Sequence, residues 1–220
     1  FFSFLEKIIL LKYHIKRIEP DSVISYIINV NILTILATRL SSTKVYVSER
    51  SYPGSRNYGF LFEKLREFLY PFATGVVVQT KVSSLWIRDH IKAKSVITIP
   101  NAVNCPISDS RAKKVDINII SNNDKIILLV SRLIETKNID VVVDAFFHIS
   151  NDHSEWVMVI LGDGPLMQSL QEKIDLLNLK NRCFLFGEVG NLHDWYSRSS
   201  IFLLNSSVEG FPNSLIEAMS

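Results

Sequence analysis

Two carboxylates, Glu209 and Glu217, stand near the C-terminal end with seven residues between them, in the string Val208-Glu209-Gly210-Phe211-Pro212-Asn213-Ser214-Leu215-Ile216-Glu217-Ala218-Met219. An apolar, strand-like run over 201–204 precedes them. Gly210 and Pro212 break that run, and from Asn213 onward the pattern is helical. Glu209 is therefore expected at a strand exit and Glu217 in the first turns of a helix. The free N–H groups and positive dipole end of that helix face the same space. Helix N-termini favour phosphate, and carboxylates accept from hydroxyls. A ligand carrying both, such as a nucleotide sugar, fits the arrangement. Taken singly, Glu209 reads as a surface loop acid and Glu217 as a charge complementing the dipole.

A cation pair lies upstream. In Val130-Ser131-Arg132-Leu133-Ile134-Glu135-Thr136-Lys137-Asn138, Arg132 leaves a strand end and Lys137 follows at the expected start of the next helix. A forked guanidinium and a mobile ammonium suit a pyrophosphate. A Lys at a helix start opposes the dipole unless an anion is bound. The alternative is that these cations form a surface ion pair with Glu135 or Asp140. The turn Gly162-Asp163-Gly164-Pro165 permits positive φ, puts Pro165 at a first helical position and offers Asp163 as a cap. Gly187, in Phe186-Gly187-Glu188-Val189, permits close backbone approach or simply makes a turn.

Other chemistries find no support. His14, His90, His148, His153 and His193 lack metal-ligand spacing. Cys105 and Cys183, 78 positions apart, give neither a metal motif nor a disulfide framework, so a reducing compartment is expected. No metal site is predicted.

These residues need a frame to hold them. Strand-like runs at 22–27, 44–48, 75–79, 95–99, 125–131, 156–161, 182–186 and 201–204 alternate with helix-like runs. The helices are expected over 1–18, 29–40, 58–70, 81–90, 138–150, 166–177 and 192–197, with a last one from Asn213. Residues 51–55 read as a loop. Short apolar strands alternating with longer helices predict α/β architecture with parallel sheets. Residues 101–124, rich in Ser, Asn, Asp and Lys, read as a linker between a domain over 1–100 and another over 125–220. In such sheets ligands bind beyond the carboxyl ends of the strands. The exit residues are then Glu49, Arg50, Asn101, Arg132, Gly162, Gly187 and Glu209.

Apolar residues make up 47% of the chain, enough for a core. Net charge is +2, but residues 1–118 carry +8 and residues 119–220 carry −6. The basic half suits anionic lipid, a diphosphate-linked acceptor or nucleic acid, unless its charges are simply scattered and solvated. Residues 23–37 imitate a membrane span but are too short and too polar for one. A strand followed by a helix explains them better. Residues 1–18 read as an amphipathic helix, packed on a sheet or lying on a membrane surface. The chain reads as a segment cut at both ends.

The string Glu209-Gly210-Phe211-Pro212-Asn213 with Glu217-Ala218-Met219 resembles the Glu-x7-Glu signature of the family-4 retaining glycosyltransferases. The Arg132–Lys137 string resembles that family's Arg-Leu-x-x-x-Lys element, and Gly162–Pro165 and Phe186–Val189 resemble its turns. A polysaccharide-building subset also resembles Pro20-Asp21-Ser22-Val23-Ile24-Ser25, Ser48-Glu49-Arg50, Val77-Val78-Gln79-Thr80 and Ile99-Pro100-Asn101-Ala102-Val103. Many other relatives have His where Glu49 and Arg50 stand.

The resemblance implies two Rossmann-like parallel-sheet domains (GT-B), both incomplete in this segment. It implies transfer of a hexose or N-acetylhexosamine, with retention, from a nucleoside-diphosphate sugar, expected to be UDP-linked. The acceptor would be a growing polysaccharide, lipopolysaccharide or lipid-linked glycan. Arg132 and Lys137 would hold the donor diphosphate, assisted by backbone at Gly210, Phe211 and Asn213 (Pro212 has no amide hydrogen). Gly187 would face the base, Glu209 the sugar hydroxyls and Glu217 the ribose. No cofactor, metal or nucleic acid is expected. The location would be cytoplasmic, with peripheral membrane contact through the basic N-terminal half. Alternatives are a GT-B-fold sugar-nucleotide epimerase and a non-catalytic nucleotide-binding module. The isolated 220 residues are expected to have little or no transferase activity.

Overall fold

The computed structural model describes residues 3–54, 58–103, 107 and 110–220. Ser55 in the expected loop, and Cys105 with other parts of the expected linker, lie outside these residues. Among the described residues the strands form two four-stranded, wholly parallel sheets. The chain divides into two compact units. The first holds Phe1–Asn101 with Val208–Phe211, and the second Ala102–Ser207 with Pro212–Ser220.

In the first unit, α1 (Phe4–Ile18), α2 (Ile28–Thr38), α3 (Phe60–Leu69) and α4 (Lys81–His90) accompany four strands. These are β1 (Ser22–Tyr26), β2 (Lys44–Glu49), β3 (Gly75–Val78) and β4 (Val96–Thr98), side by side in that order. Val47, Val76 and Val78 pack against Ile28, Ile32, Leu69, Tyr70 and Ile87. Each fully buried side chain of this size contributes about 1.5–3 kcal/mol. The run that imitates a membrane span is β1 followed by α2. No helix among the described residues is long and apolar enough to cross a membrane. A reciprocal capping box starts α1: Ser3 Oγ accepts from the Glu6 N–H, and Glu6 Oε2 from the Ser3 N–H. Only Ile15 of this helix is buried, while Leu5, Ile9 and Tyr13 are exposed.

In the second unit, β5 (Lys125–Val130), β6 (Trp156–Leu161), β7 (Cys183–Gly187) and β8 (Ile201–Phe202) run in the order β7-β6-β5-β8. Alternate residues of β5 and β6 feed two cores. Leu129, Met158 and Ile160 pack with α5 (Ile139–Ser150) and α6 (Met167–Leu176). Ile126, Leu128, Val157, Val159 and Leu161 pack with Trp195 of α7 (Leu192–Arg198). Both faces of the sheet are covered, which is why β5 and β6 read as unbroken apolar runs. The final helix is α8 (Asn213–Met219).

Two segments depart from the sequence reading. β8 is two residues long rather than the four expected over 201–204. The Leu203 N–H still donates to Leu128 O at 2.8 Å, and the chain then turns off toward Asn138. The stretch read as a linker is tied to the second unit. The Ser110 N–H donates to Gly190 O, the Gly190 N–H to Lys113 O, and the Asn191 side chain exchanges two 3.0 Å hydrogen bonds with the Val115 backbone.

Candidate active site

The parallel strands of the second unit bring all their carboxyl ends to one edge. Chain order runs from β5 through β6 to β7 on one side, and β8 lies on the other side of β5. The order therefore reverses between β5 and β8, where open α/β sheets characteristically place a ligand crevice. The segment leaving β5 carries Arg132 and Lys137. The segment leaving β8 leads to α8 and Glu217.

Arg132 is exposed and lies on a tightly held backbone. The Ser131 N–H donates to Leu161 O at 3.0 Å. The Leu133 N–H donates to Asp163 O at 2.9 Å, and the Leu166 N–H to Leu133 O at 3.1 Å. Gly162 makes this clamp possible. Its φ is +134°, and a Cβ there would sit 1.9 Å from Ser131 O. Among the described residues Arg132 forms no ion pair with Glu135 or Asp140, so the alternative reading of that cation is not realised. Asp163 caps no helix: its carboxylate accepts from the adjacent Gly164 N–H, and α6 starts beyond Pro165 at Met167.

Lys137 is half-buried and does not begin a helix, as its sequence suggested. It closes a 3₁₀ turn, Glu135–Lys137, and Asn138 follows in the left-handed region (φ 48°, ψ 40°) before α5. The expected conflict with the α5 dipole is thereby relieved. Loops from β5 and β8 are stitched together around it. Asn138 Nδ2 donates to Asn205 O, Asn205 Nδ2 to Asn138 O, and the Ser207 N–H and Oγ both to Thr136 O.

Gly187 ends β7 with φ +74° and accepts from the Gly162 N–H at 2.7 Å. Asn213 is exposed at the start of α8, and Pro212 precedes it in extended conformation. Glu217 is half-buried, and its Oε2 accepts from the Tyr196 hydroxyl at 3.0 Å. Burial and then the Glu217 charge push the Tyr196 phenol well above its ordinary range. The sequence reading missed Tyr196. It stands beside the fully buried Trp195 on a short helix, and only the sheet order brings that helix near α8.

Three expected site residues, Glu209, Gly210 and Phe211, group with the first unit. There Glu209 O accepts from the Tyr52 N–H at 3.4 Å. A Cβ on Gly210 would lie 2.3 Å from Arg50 O, so this close passage requires glycine. The Glu49 side chain does not stand at the strand exit. It is 3% exposed and takes a hydrogen bond on Oε1 from Tyr70, whose oxygen accepts from Asn31 Nδ2 at 2.9 Å. Asn31 Oδ1 in turn accepts from Ser25 Oγ at 2.8 Å. Desolvation raises the Glu49 pKa, against the Tyr70 hydrogen bond and the charge of Arg66. Arg66, also buried, pairs with Glu63 and lies 4.7 Å from the Trp86 ring centre. Arg50 and Gln79 both donate to Asn101 Oδ1, at 2.7 and 2.5 Å.

Burial pushes the Cys183 thiol up to about 12, which removes it as a nucleophile. Among the described residues no group of three His, Cys, Asp or Glu side chains could hold a metal ion.

Comparison with known proteins finds glycosyltransferases. The chain is 28% identical over 223 residues to an uncharacterized glycosyltransferase of Methanocaldococcus jannaschii, covering 94% of this chain and 55% of that protein. It is 28% identical over 222 residues to GalNAc-α-(1→4)-GalNAc-α-(1→3)-diNAcBac-PP-undecaprenol α-1,4-N-acetyl-D-galactosaminyltransferase of Campylobacter jejuni, covering 99% of this chain and 58% of that protein. The chain thus spans somewhat more than half the length of these relatives. The crystal structure of Anabaena HepE in complex with UDP superposes with a TM-score of 0.77 at 16% identity, over 96% of this chain and 60% of that one. The two Rossmann-like parallel sheets are those of the GT-B class. The model of the family described as glycosyl transferases group 1 matches residues 110–220, half of the chain and all of the β5–β8 edge, and the protein belongs to that family.

Proposed function

We propose that the chain is part of a family-4 retaining glycosyltransferase. The enzyme moves a hexose or N-acetylhexosamine from a nucleoside-diphosphate sugar, UDP-linked, to a growing polysaccharide, lipopolysaccharide or lipid-linked glycan. One observation carries this reading: the strand order reverses between β5 and β8, and the segments leaving those strands bear Arg132, Lys137 and Glu217. The Campylobacter relative, by its name, elongates an undecaprenol-diphosphate glycan, and HepE holds UDP. Both facts favour this substrate class.

The residues divide the work by charge. The bond from the anomeric carbon to the diphosphate oxygen breaks, and negative charge builds on the leaving nucleotide. Arg132 and Lys137 neutralise that charge where it develops. The acceptor hydroxyl oxygen bonds to the anomeric carbon on the face the nucleotide leaves, and its proton passes to the departing diphosphate oxygen. Glu209 orients sugar hydroxyls, Gly187 borders the base, and Glu217 accepts from the ribose. With two cations on the diphosphate, the reaction needs no bound metal.

The basic half suits the cytoplasmic face of a membrane. Supporting this, α1 exposes Leu5, Ile9 and Tyr13 beside Lys12, Lys16 and Arg17.

The test is to incubate the intact protein with a panel of nucleotide sugars in chelator, with and without a lipid-linked glycan acceptor. Nucleotide release that depends on acceptor is the expected result. An epimerised sugar formed without acceptor, nucleotide binding without turnover, or activity restored only by a divalent cation would each contradict the reading it addresses.

A further inference from the structure

We propose that Tyr196 is a positioning residue for Glu217, and through it a determinant of selectivity for ribonucleotide donors. The inference rests on Glu217 as the group that accepts from the ribose. The Tyr196 hydroxyl occupies one carboxylate oxygen, Oε2, at 3.0 Å. Oε1 would then take a hydroxyl from the ligand.

The two partners differ in how firmly they are held. Tyr196 sits on α7, anchored by the neighbouring Trp195, which is fully buried. The Tyr196 ring packs on Phe202 of β8, with centroids 5.7 Å apart and planes inclined at 50°. Glu217 lies on a seven-residue helix that has no side-chain cap. A Glu side chain has several rotatable bonds, and fixing it in one rotamer costs entropy. A phenol already locked by packing supplies that restraint before the nucleotide arrives. The same phenol stays protonated over any workable assay range, because burial and the Glu217 charge both raise its pKa. It therefore remains a hydrogen-bond donor to Glu217 Oε2.

Charge-assisted hydrogen bonds of a carboxylate are stronger and more directional than neutral ones. A fixed Glu217 should then distinguish a nucleotide with ribose hydroxyls from one without. If Tyr196 acts through Glu217, its effect should vanish when either Glu217 or the ribose hydroxyls are removed.

The experiment uses calorimetric titration of the intact protein with uridine, adenosine and guanosine diphosphates and their 2′,3′-dideoxy counterparts. It compares wild type, Tyr196→Phe, Glu217→Ala and the double variant. The Phe variant keeps the ring packing and removes only the hydroxyl. The expected result on the best-bound diphosphate is a loss of about three- to tenfold for Tyr196→Phe, the range of one hydrogen bond. Its dideoxy counterpart should change less than about twofold. The double variant should bind no more weakly than Glu217→Ala, because the two act as one unit. In turnover, the loss should fall on donor KM rather than kcat. Tyr196→Phe binding both ligand forms equally less well would make the residue merely structural and overturn the proposal. If Glu217→Ala loses ribose discrimination while Tyr196→Phe keeps it, the proposal fails and the glycosyltransferase reading stands. If Glu217→Ala itself loses none, the ribose role of Glu217 fails, and the proposal with it.

Discussion

Glu49 shows how a side chain that looks catalytic from its position can belong to the fold. It ends β2 at the carboxyl edge of the first sheet, yet its carboxylate turns inward to Tyr70 and the buried Arg66. Burial raises its folded pKa above the ordinary 4.5 that the unfolded chain retains. Between those two values the folded state keeps a proton that the unfolded state has lost. The stability contributed by this group is therefore fully present below pH 4.5 and declines as pH rises through the folded value. Glu49→Gln removes the titration. Urea unfolding from pH 4.5 to neutrality should show wild type losing stability relative to the variant as pH rises. A wild type that gains on the variant over that range would contradict the assignment. No periodicity in the sequence signals which way the last side chain of a strand points. That depended on Asn31, Ser25 and Tyr70 coming together from three separate segments.

Most elements were legible because their signals are local. The unbroken apolar runs of β5 and β6 identify themselves within a few residues. The elements read less well depend on distant partners. The stretch before β5 looked like a linker because its partners lie far downstream, Asn191 76 residues beyond Val115. Lys137 looked like a helix start because the left-handed Asn138, held by Asn205, has no local signature. Of the candidate site, the cation pair and Glu217 were visible as types and spacing, whereas Tyr196 required the tertiary fold. At this scale the clamp at Gly162 is the most exposed to test. Gly162→Ala would drive a Cβ against Ser131 O at a φ of +134°. The expected cost is at least about 2 kcal/mol of stability, the range for a strained backbone position, with donor affinity falling as Arg132 shifts. A variant with unchanged urea midpoint and unchanged nucleotide affinity would show that the clamp does not set the position of Arg132.

Over the whole molecule, charge divides as the proposed roles divide, +8 in residues 1–118 and −6 beyond. If the basic half meets a membrane, binding of the intact protein to anionic vesicles should weaken steeply between low and physiological salt, since exposed charges are screened within about 8 Å at 0.15 M. It should also be absent on neutral vesicles. Equal binding to both would remove charge from the account. Donor recognition is proposed for the second sheet, where the strand order reverses between β5 and β8. The most direct measurement is calorimetric titration of the intact protein and its Arg132→Ala/Lys137→Ala variant with a nucleoside diphosphate and with the nucleoside alone. The account predicts a loss of about a hundredfold for the diphosphate, two charge-assisted contacts of roughly 1.5 kcal/mol each, and an unchanged affinity for the nucleoside. A diphosphate affinity that survives the double substitution would contradict it.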